Sequence, residues 1–567
     1  MEIVVRTVPQ GLAEVQSPIL RRIYAARGVT SESQLQRQLT ALLHPSDLPD
    51  IERAAERLAD AIEQQQHILI VGDFDADGAT SVALCVLLLR AMGASSIDYL
   101  VPNRFEFGYG LSPEIVALAE SQNPAVIVTV DNGVASIAGV ERARQSGIDV
   151  IVTDHHLPGA ELPAAYAIVN PNLASSGFAS TAMAGVGVAY YVMSQLRNTL
   201  RQRGWFTDDR PLPNMANYLD LVALGTVADV VPLDTNNRVL VHQGLARIRA
   251  GRCLPGIQAI AEIARKSLAT LSAQDLGFAL GPRLNAAGRL EDMSIGIQCL
   301  LADNLSSARQ LARVLDELNQ TRRQLEADMV SDAELMLADS AADTEAVGLV
   351  TYHESFHQGI VGIVAGRLRE KHHKPVIAFA DAGDLAPDEL KGSARSITDL
   401  HIRDLLDAIA TQHPGLLIKF GGHAMAAGLS MKRVHLQRFK VIFDKAVRRA
   451  TTADMLTARL LTDGSLMPED FSIELAQLLA SAGPWGSGFP QPSFHGDFSV
   501  VSQRVVGENH LKLVLRVDTR VIDAIAFRQA PLPDDCRRVR AVYRVELNHY
   551  GHMPTLQLVV EYLEALP

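Results

Sequence analysis

The sequence has few cysteines, no long apolar run and no excess of basic residues, and each shortage excludes a class of protein. Four cysteines, far apart and without a CxxC pair, argue against a disulfide framework. No apolar stretch approaches the roughly twenty residues that a membrane helix needs, and the opening MEIVVRTVPQG does not have the order of a signal peptide. We therefore expect a cytoplasmic protein with reduced thiols and no membrane partner.

The charge balance excludes a general coat for nucleic acids. Lys and Arg number 52 against 64 Asp and Glu, for a net charge of -12. Acidic residues gathered around metal ions would still leave basic residues free to line a channel elsewhere. With 567 residues, 48% of them hydrophobic, the chain is long enough for three to four domains.

Apolar periodicity divides the chain into mixed and all-β regions. Strand-like runs alternate with helical stretches between about 50 and 195, which indicates a parallel sheet. Residues 297–347 contain no Gly or Pro and predict one long helix or two abutting ones. A second α/β unit follows, and alternation in LKLVLRV predicts a terminal β-barrel. We predict five segments: 1–50, 51–230, 231–344 with the connecting helix, 345–455 and 456–567.

Three apolar runs each end in polar residues of the kinds that bind metals. They are ILIVGDFDADG, VIVTVDNG and VIVTDHH, and a fourth apolar segment, YLDLVALGTVADVVPL, carries Asp229. Since functional groups gather at the carboxyl ends of parallel strands, we expect one cluster of acidic and imidazole side chains, formed by Asp73, Asp75, Asp77, Asp131, Asp154, His155, His156 and Asp229.

Carboxylates this close would repel one another unless cations neutralise them. Oxygen ligands with one or two imidazoles suit Mg²⁺ or Mn²⁺, and the lack of nearby cysteine argues against structural zinc. Two such ions can activate a water and stabilise a leaving oxygen in phosphoryl hydrolysis. The alternatives are structural: Asp73 could cap the following helix, and His156 could be a buried structural histidine.

The motifs DFDADG, VDNGV, TDHH and GTVADVVPL resemble the four successive signatures of the DHH phosphoesterase superfamily. The resemblance implies that Asp75, Asp77, Asp131, His155 and Asp229, with Asp73 beside them, hold two Mn²⁺ or Mg²⁺ ions bridged by Asp131. It also implies that His156 contacts the scissile phosphate and that Asp154 orients its neighbours.

Further segments resemble the DHHA1 accessory domain of this superfamily: GPRLNAAGRLED, SFHQGIVGIVAGRL, KGSARS and KFGGHAMAAGLSM. Glycine-rich loops expose backbone N–H groups to phosphate oxygens, and arginine adds bidentate contacts. The candidates for holding substrate phosphates are Arg104, Arg283, Arg289, Ser393, Arg395, Gly421, Gly422 and His423. In the structural alternative, GGHAMAAG is a tight turn before a packed helix, and Arg289 forms a salt bridge between domains.

The C-terminal region, introduced by GPWGSGFPQPSF, resembles an OB-fold. Such barrels bind single strands with a basic groove and stacked aromatic rings. Arg516, Arg540, Tyr543 and Arg544 are the candidates here, although alternate strand residues must face the barrel core. Trp485 and Phe489 are expected to be packing residues.

The resemblance implies an α/β fold with a DHH catalytic domain, a long connecting helix, a DHHA1 domain and an OB-type barrel. It implies a monomeric, metal-dependent exonuclease that degrades single-stranded DNA 5′→3′ in recombination and repair, with a single-strand-binding protein and a helicase as partners. Two alternatives remain: a phosphodiesterase for short RNA, cyclic dinucleotides or pyrophosphate, and a noncatalytic binding module.

Overall fold

The chain folds into two compact units in a computed structural model. One comprises Met1–Ile3 and Glu317–Leu460, and the other comprises Val4–Asp316 and Leu461–Pro567. The residues described are 1–9, 12–103, 110–339, 345–383, 386–507, 509–548 and 553–567. Among these, no helix combines the length and the apolar character that a membrane span requires.

The helices are α1 (Pro18–Ala25), α2 (Ile51–Glu63), α3 (Ala76–Ala91), α4 (Pro113–Glu120), α5 (Ile137–Gln145), α6 (Gly185–Gln202), α7 (Leu219–Ala228), α8 (Thr235–Arg249), α9 (Pro255–Ile263), α10 (Ala273–Asp275), α11 (Gly281–Leu290), α12 (Ser294–Leu301), α13 (Leu305–Asp339), α14 (Val361–His372), α15 (Ile402–Gln412), α16 (Leu436–Ala450) and α17 (Ile473–Ala482). A π-helical turn, Leu276–Leu280, joins α10 to α11.

The strands are β1 (Glu2–Val5), β2 (Ile68–Val71), β3 (Ile97–Leu100), β4 (Val126–Val130), β5 (Asp149–Thr153), β6 (Ala167–Val169), β7 (Leu349–Tyr352), β8 (Val376–Asp381), β9 (Glu389–Arg395), β10 (Lys419–Gly422), β11 (Ala426–Lys432), β12 (Arg459–Thr462), β13 (Phe494–Val506), β14 (His510–Val517), β15 (Arg520–Ala526), β16 (Arg538–Asn548) and β17 (Thr555–Leu566).

A parallel sheet of order β3-β2-β4-β5-β6 organises the larger unit. Strands β2 and β4, ILIV and VIVTV, are buried along their whole length. Such runs suit a sheet that is covered on both faces, because neither face meets water. The predicted parallel sheet is confirmed, and the carboxyl ends of β2, β4 and β5 lie side by side.

The smaller unit contains a second sheet of order β10-β11-β9-β8-β7, in which β7 and β8 are parallel. Its core includes Phe379, Phe439 and Phe443, and the ring of Phe439 packs against the other two rings at 5.8 and 5.9 Å. The predicted long helix is α13, which spans 35 residues. The boundary between the two units falls inside this helix.

The C-terminal strands form a closed barrel of order β13-β14-β15-β17-β16. Leu511, Leu513 and Leu515 alternate on the inner face of β14, each fully buried. Strands β15 and β17 close the barrel in parallel. Closure removes the unpaired edges that an open sheet of this length would present. The predicted OB-type barrel is confirmed.

From Val4 onward, the described part of the first fifty residues belongs to the larger unit. Arg27 forms a buried ion pair with Asp463, at 2.7 Å between Nη1 and Oδ1. Tyr24 stacks on Trp485 and Phe489, whose rings are 5.2 Å apart, and its hydroxyl donates to Ala482 O. This aromatic cluster fixes the segment that leads into the barrel, and it confirms the packing role expected of the two later aromatics.

Candidate active site and metal centre

The loop after β2 supplies two acidic side chains, Asp73 and Asp75. Asp75 is the N-cap of α3, and its Oδ1 accepts from the backbone N–H groups of Asp77 and Gly78. The cap of this helix is therefore Asp75, and the alternative that Asp73 caps it is wrong. Asp73 is 5% exposed. A side chain at Gly78 would place its Cβ 2.4 Å from Asp73 O, so the tight loop requires glycine.

Asp77 lies at the start of α3 and is held by the first turn of α6. Its two carboxylate oxygens accept from Gly185 N at 2.6 Å and from Val186 N at 2.9 Å. The positive end of a helix dipole stabilises a carboxylate placed there. A Cβ on Gly185 would lie 2.7 Å from Asp131 Cβ, so glycine lets α6 reach both aspartates.

Asp131 follows β4 directly and has a left-handed backbone, with φ at 62°. Its side chain is 2% exposed. Few residues other than Gly, Asn and Asp adopt this conformation readily. The turn points the carboxylate into the cluster that its neighbours on β2 and β5 form.

Residues 154–156 follow β5, and Asp154 organises them. Its Oδ1 accepts from the backbone N–H groups of His155 and His156 and lies 2.8 Å from His156 Nδ1, while its Oδ2 accepts from Val134 N. The ring of His155 hydrogen-bonds the backbone of Met183. A second hydrogen bond of this kind fixes the orientation of a ligand imidazole.

Asp229 reaches the cluster from the end of α7, where it is the C-cap residue. Its Oδ2 lies 3.5 Å from His155 Nε2, which in turn is 3.1 Å from Asp131 Oδ1. Three overlapping groups each bring their ligand atoms within 4.8 Å of one another: Asp131, His155 and His156; Asp77, His155 and Asp229; Asp73, Asp75 and Asp131. Residues from four parts of the sequence thus meet at one sheet edge, as predicted.

Burial and mutual repulsion raise the pKa values of these carboxyls. Burial, followed by the charge of Asp75, raises the pKa of Asp77 to about 7. Burial and then the charge of Asp77 raise the pKa values of Asp131 and Asp229 well above their usual range. A carboxylate cluster of this density is stable in its ionised form only when cations neutralise it.

The pKa values of His155 and His156 are shifted in opposite directions. Burial and the charge of His156 lower the pKa of His155 to about 4, so its ring is neutral near pH 7. Burial opposes protonation of His156, but the hydrogen bond and charge of Asp154 outweigh it and raise its pKa. Asp154 itself is held below its usual pKa range, because its hydrogen bond with His156 and its backbone donors outweigh burial.

The donor set fits a hard divalent cation. His155 Nε2 and Asp229 Oδ2 are buried, and neither makes a hydrogen bond within the described ranges of the chain. A neutral imidazole nitrogen and carboxylate oxygens, with no thiolate among them, are the ligands that Mn²⁺ and Mg²⁺ accept. The residues present therefore fit the predicted metals.

Sequence reasoning overlooked the helix α11, which closes one side of the cluster. Asn285 Oδ1 accepts from Ala76 N at 2.8 Å, and a Cβ on Gly288 would lie 1.7 Å from Phe74 O. Both residues belong to the GPRLNAAGRLED segment, in which the sequence pointed to the two arginines as candidate phosphate ligands. The amide of Asn285, which lies between those arginines, is the feature that could have indicated a contact with the acidic loop.

Of the phosphate candidates, Ser393 and Arg395 lie together on β9. Arg395 Nη1 donates to Ser393 Oγ and to Ala394 O, each at 2.9 Å. Burial and then the charge of Arg369 lower the pKa of Arg395. A Cβ on Gly362, in the first turn of α14, would lie 2.9 Å from Arg395 Nη2. Among the described residues, this guanidinium has only neutral partners.

Gly421 and Gly422 end β10, and His423 begins the hairpin turn to β11, where its backbone N–H donates to Ala426 O. All three residues are exposed. The structural alternative of a turn before a helix is therefore wrong, because Ala426–Lys432 is a strand. The φ of Gly422 is 141°, and a Cβ there would meet Ala426 O at 2.4 Å.

The arginine candidates of the larger unit have different surroundings. Arg283 is 9% exposed, donates to Asp316 Oδ1 at 2.8 Å and contacts Ala279 O, so it joins α11 to α13 and offers little surface to a phosphate. Arg289 lies half-buried one turn beyond Asn285 on α11. Arg104 lies outside the described residues.

The barrel candidates divide by strand face. Tyr543 is 1% exposed and packs against Phe498, so the expectation that it stacks on a base is wrong. It shares the inner face of β16 with Val539, Ala541 and Val545. Arg540 pairs with Asp497 at 2.8 Å, Arg544 Nη1 donates to Gln491 Oε1, and Arg516 is exposed at the end of β14.

A parallel sheet with DxD, DN and DHH motifs at its carboxyl edge defines a phosphoesterase of the DHH class. The model of the DHH family, N-terminal domain, matches residues 67–226, that of the DHHA1 domain 346–449, and that of the RecJ OB domain 462–562. Together with the relatives that follow, these matches show that the chain belongs to the RecJ family.

One relative is the single-stranded-DNA-specific exonuclease RecJ of Escherichia coli (strain K12). It is 52% identical over 554 residues, which are 96% of this chain and 95% of the relative. The crystal structure of RecJ in complex with Mn²⁺ from Thermus thermophilus has a TM-score of 0.80 and 29% identity, over 97% of this chain and 76% of that one. The Mg²⁺ complex has a TM-score of 0.75 and 28% identity, over 97% and 75%.

Proposed function

We propose that the chain is a metal-dependent nuclease that hydrolyses single-stranded DNA processively from its 5′ end and releases 5′-mononucleotides, in DNA recombination and repair. The observation that carries the proposal is the cluster of Asp73, Asp75, Asp77, Asp131, His155, His156 and Asp229 at the sheet edge. The name of the Escherichia coli relative supports the substrate, and the Mn²⁺ and Mg²⁺ in the Thermus structures support the metal.

Two bound Mn²⁺ or Mg²⁺ ions would activate a water and stabilise the leaving 3′ oxygen of the phosphodiester. Asp131 and His155 would contribute to both halves of the site, since each belongs to two of the overlapping ligand groups. The lowered pKa of His155 keeps its Nε2 lone pair available at neutral pH. Asp77, fixed by two backbone N–H groups, contributes a carboxylate that cannot rotate away.

His156 would hold the scissile phosphate. Its Nδ1 is bound by Asp154 at 2.8 Å, which directs Nε2 to the opposite side of the ring. The raised pKa favours the imidazolium, whose Nε2–H donates a charge-assisted hydrogen bond to a phosphate oxygen. Asp154 acts as a positioning residue that sets this geometry through its four contacts.

The terminal 5′ phosphate would bind at Ser393 and Arg395, and this gives cutting its direction. A half-buried guanidinium with neutral partners only, near a second arginine, attracts an anion. The exposed backbone of Gly421 and Gly422 offers further N–H groups. Binding a terminal phosphate selects an end of the strand over its interior.

Digestion of 5′-labelled and 3′-labelled single-stranded DNA with Mn²⁺ tests the proposal, with duplex DNA and EDTA as controls. We expect immediate release of labelled mononucleotide from the 5′-labelled strand alone, and its loss in Asp131→Asn. Asp149→Asn is the matched control, because Asp149 begins β5 and pairs with Arg57 away from the cluster. Release from the 3′ end first, or consumption of cyclic dinucleotides in place of DNA, would contradict the proposal.

A further inference from the structure

An exposed phenylalanine lies between the metal cluster and the barrel. Phe278 is 75% exposed, and Phe527 is the other phenylalanine in the described part of the chain that is mostly in water. Phe278 belongs to the π-helical turn Leu276–Leu280, whose residues Leu276 and Leu280 are fully buried. A π turn inside a helix is uncommon and is often found at functional sites.

One side of this turn packs on the chain that precedes a metal ligand. A Cβ on Gly277 would lie 3.3 Å from Val227 Cγ1, and one on Gly281 would lie 3.1 Å from Ala228 Cβ. Asp229 comes next in the chain, and two residues span at most about 7 Å. The helix then continues as α11 along the DFDADG loop, so Phe278 lies at the rim of the carboxylate cluster.

The other side of the turn faces the barrel. Gln274, about one helical turn before Phe278, has its Oε1 3.5 Å from Arg544 Nη1 on β16. Val230, which follows Asp229, is also exposed, at 67%. Two exposed apolar side chains, Phe278 and Val230, thus lie on the segments that pack together around Asp229.

We infer that the ring of Phe278 stacks on a base of the substrate strand, within the first few nucleotides 3′ of the scissile phosphate. This inference rests on the proposed function. A single exposed apolar side chain is common on a protein surface, but Phe278 is a large one and lies on a π turn that packs against the residues preceding a metal ligand. Bases stack on aromatic rings regardless of sequence, which suits an enzyme that must pass every base in turn. Phe278 is thus a positioning residue that keeps the strand in line between successive cuts.

Kinetics on single-stranded DNA test the inference with Phe278→Leu, which removes the flat ring, beside Phe278→Tyr, which retains it. We expect Phe278→Leu to raise KM about 5- to 150-fold, the range for loss of one stacked base, with a smaller change in kcat and no change in melting temperature. Phe278→Tyr should behave as the parent chain. An abasic nucleotide at one position near the 5′ end of the DNA should raise the KM of the parent chain and should not raise the KM of Phe278→Leu further.

A second measurement separates this inference from the proposed function. In Phe278→Trp with EDTA present, 5′-phosphorylated oligothymidylate should quench the new tryptophan beyond the response of the parent chain. Cleavage of DNA with equal KM in all variants and no sensitive abasic position overturns the role of Phe278 and leaves the nuclease proposal standing. Quenching without any cleavage supports the stacking role and contradicts the proposed activity. Absence of both cleavage and quenching overturns the two together.

Discussion

Neutralising one carboxylate of the metal cluster should stabilise the metal-free protein, and increasingly so as pH rises. In Asp131→Asn, the asparagine retains the shape of the side chain and tolerates the left-handed backbone at φ 62°. The pKa of Asp131 is raised in the folded chain by burial and then by the charge of Asp77. A raised carboxyl pKa means that the folded state binds more protons than the unfolded one, so stability falls as pH rises above about 4. The amide substitution removes that loss.

The size of the effect follows from the spacing of the charges. Ligand atoms of Asp73, Asp75 and Asp131 lie within 4.8 Å of one another. Two unit charges at that distance repel by about 3 kcal/mol at an effective permittivity of 20. We therefore expect the variant to gain about 3 kcal/mol over the parent chain at pH 8, and little at pH 5, where the cluster retains protons. In a unit of this size the gain amounts to a few degrees in Tm.

Thermal unfolding in EDTA and in Mn²⁺, between pH 5 and 8, measures this. In EDTA, Asp131→Asn should unfold at a higher temperature than the parent chain, by a margin that grows with pH. In Mn²⁺ the order should reverse, because the parent chain gains binding energy that the variant has lost. Asp149→Asn should show neither behaviour. A variant less stable than the parent chain in EDTA at pH 8, or a margin independent of pH, would refute the reasoning.

Three further predictions concern other parts of the chain. Gly288→Ala should weaken Mn²⁺ binding at least tenfold, measured by calorimetry, because its Cβ would lie 1.7 Å from a backbone oxygen of the DFDADG loop; Gly366→Ala, a helical position with open space, should not. Arg27→Met should cost about 3–5 kcal/mol in urea unfolding, since it leaves a buried carboxylate unpaired, whereas Arg144→Met, which breaks an exposed ion pair, should leave the free energy of unfolding nearly unchanged. Arg395→Gln should reduce the preference for 5′-phosphorylated over 5′-hydroxyl DNA, measured as a ratio of kcat/KM; an unchanged ratio would contradict the phosphate role.

The ligand cluster was predictable because parallel strands align their carboxyl ends. Asp75, Asp131 and His155 each lie within four residues of the end of an apolar run, so their convergence could be predicted without knowing the order of the strands. The contacts made by α6 and α11 were not predictable in the same way. The first turn of α6 reaches Asp77 over more than a hundred residues, and nothing in its local sequence indicates which carboxylate it meets.

The burial of Tyr543, which contradicts its predicted stacking on a base, could have been read from the sequence of β16. Val539, Ala541, Tyr543 and Val545 occupy alternate positions along β16, and three of the four positions from Arg538 to Arg544 on the other face are arginines, so the tyrosine belongs to the apolar face. The burial of Arg283 had no such local signal, because its ion-pair partner Asp316 is 33 residues away and on another helix. Strand alternation is a local property that sequence shows, whereas the partner of a buried charge is set by packing.

The larger unit is discontinuous in sequence, and this bears on the order in which the chain can fold. Arg27 and Tyr24 are synthesised early, yet Asp463, Trp485 and Phe489 leave the ribosome only after the whole smaller unit has been made. The core of the smaller unit can form before α1 has any of these contacts, because the residues that α1 contacts have not yet been synthesised. Contacts this distant in sequence form slowly, because a long loop must close first. The contacts that join the first helix to the barrel region therefore form late, whereas all the residues of the metal cluster, from Asp73 to Asp229, are made before the smaller unit.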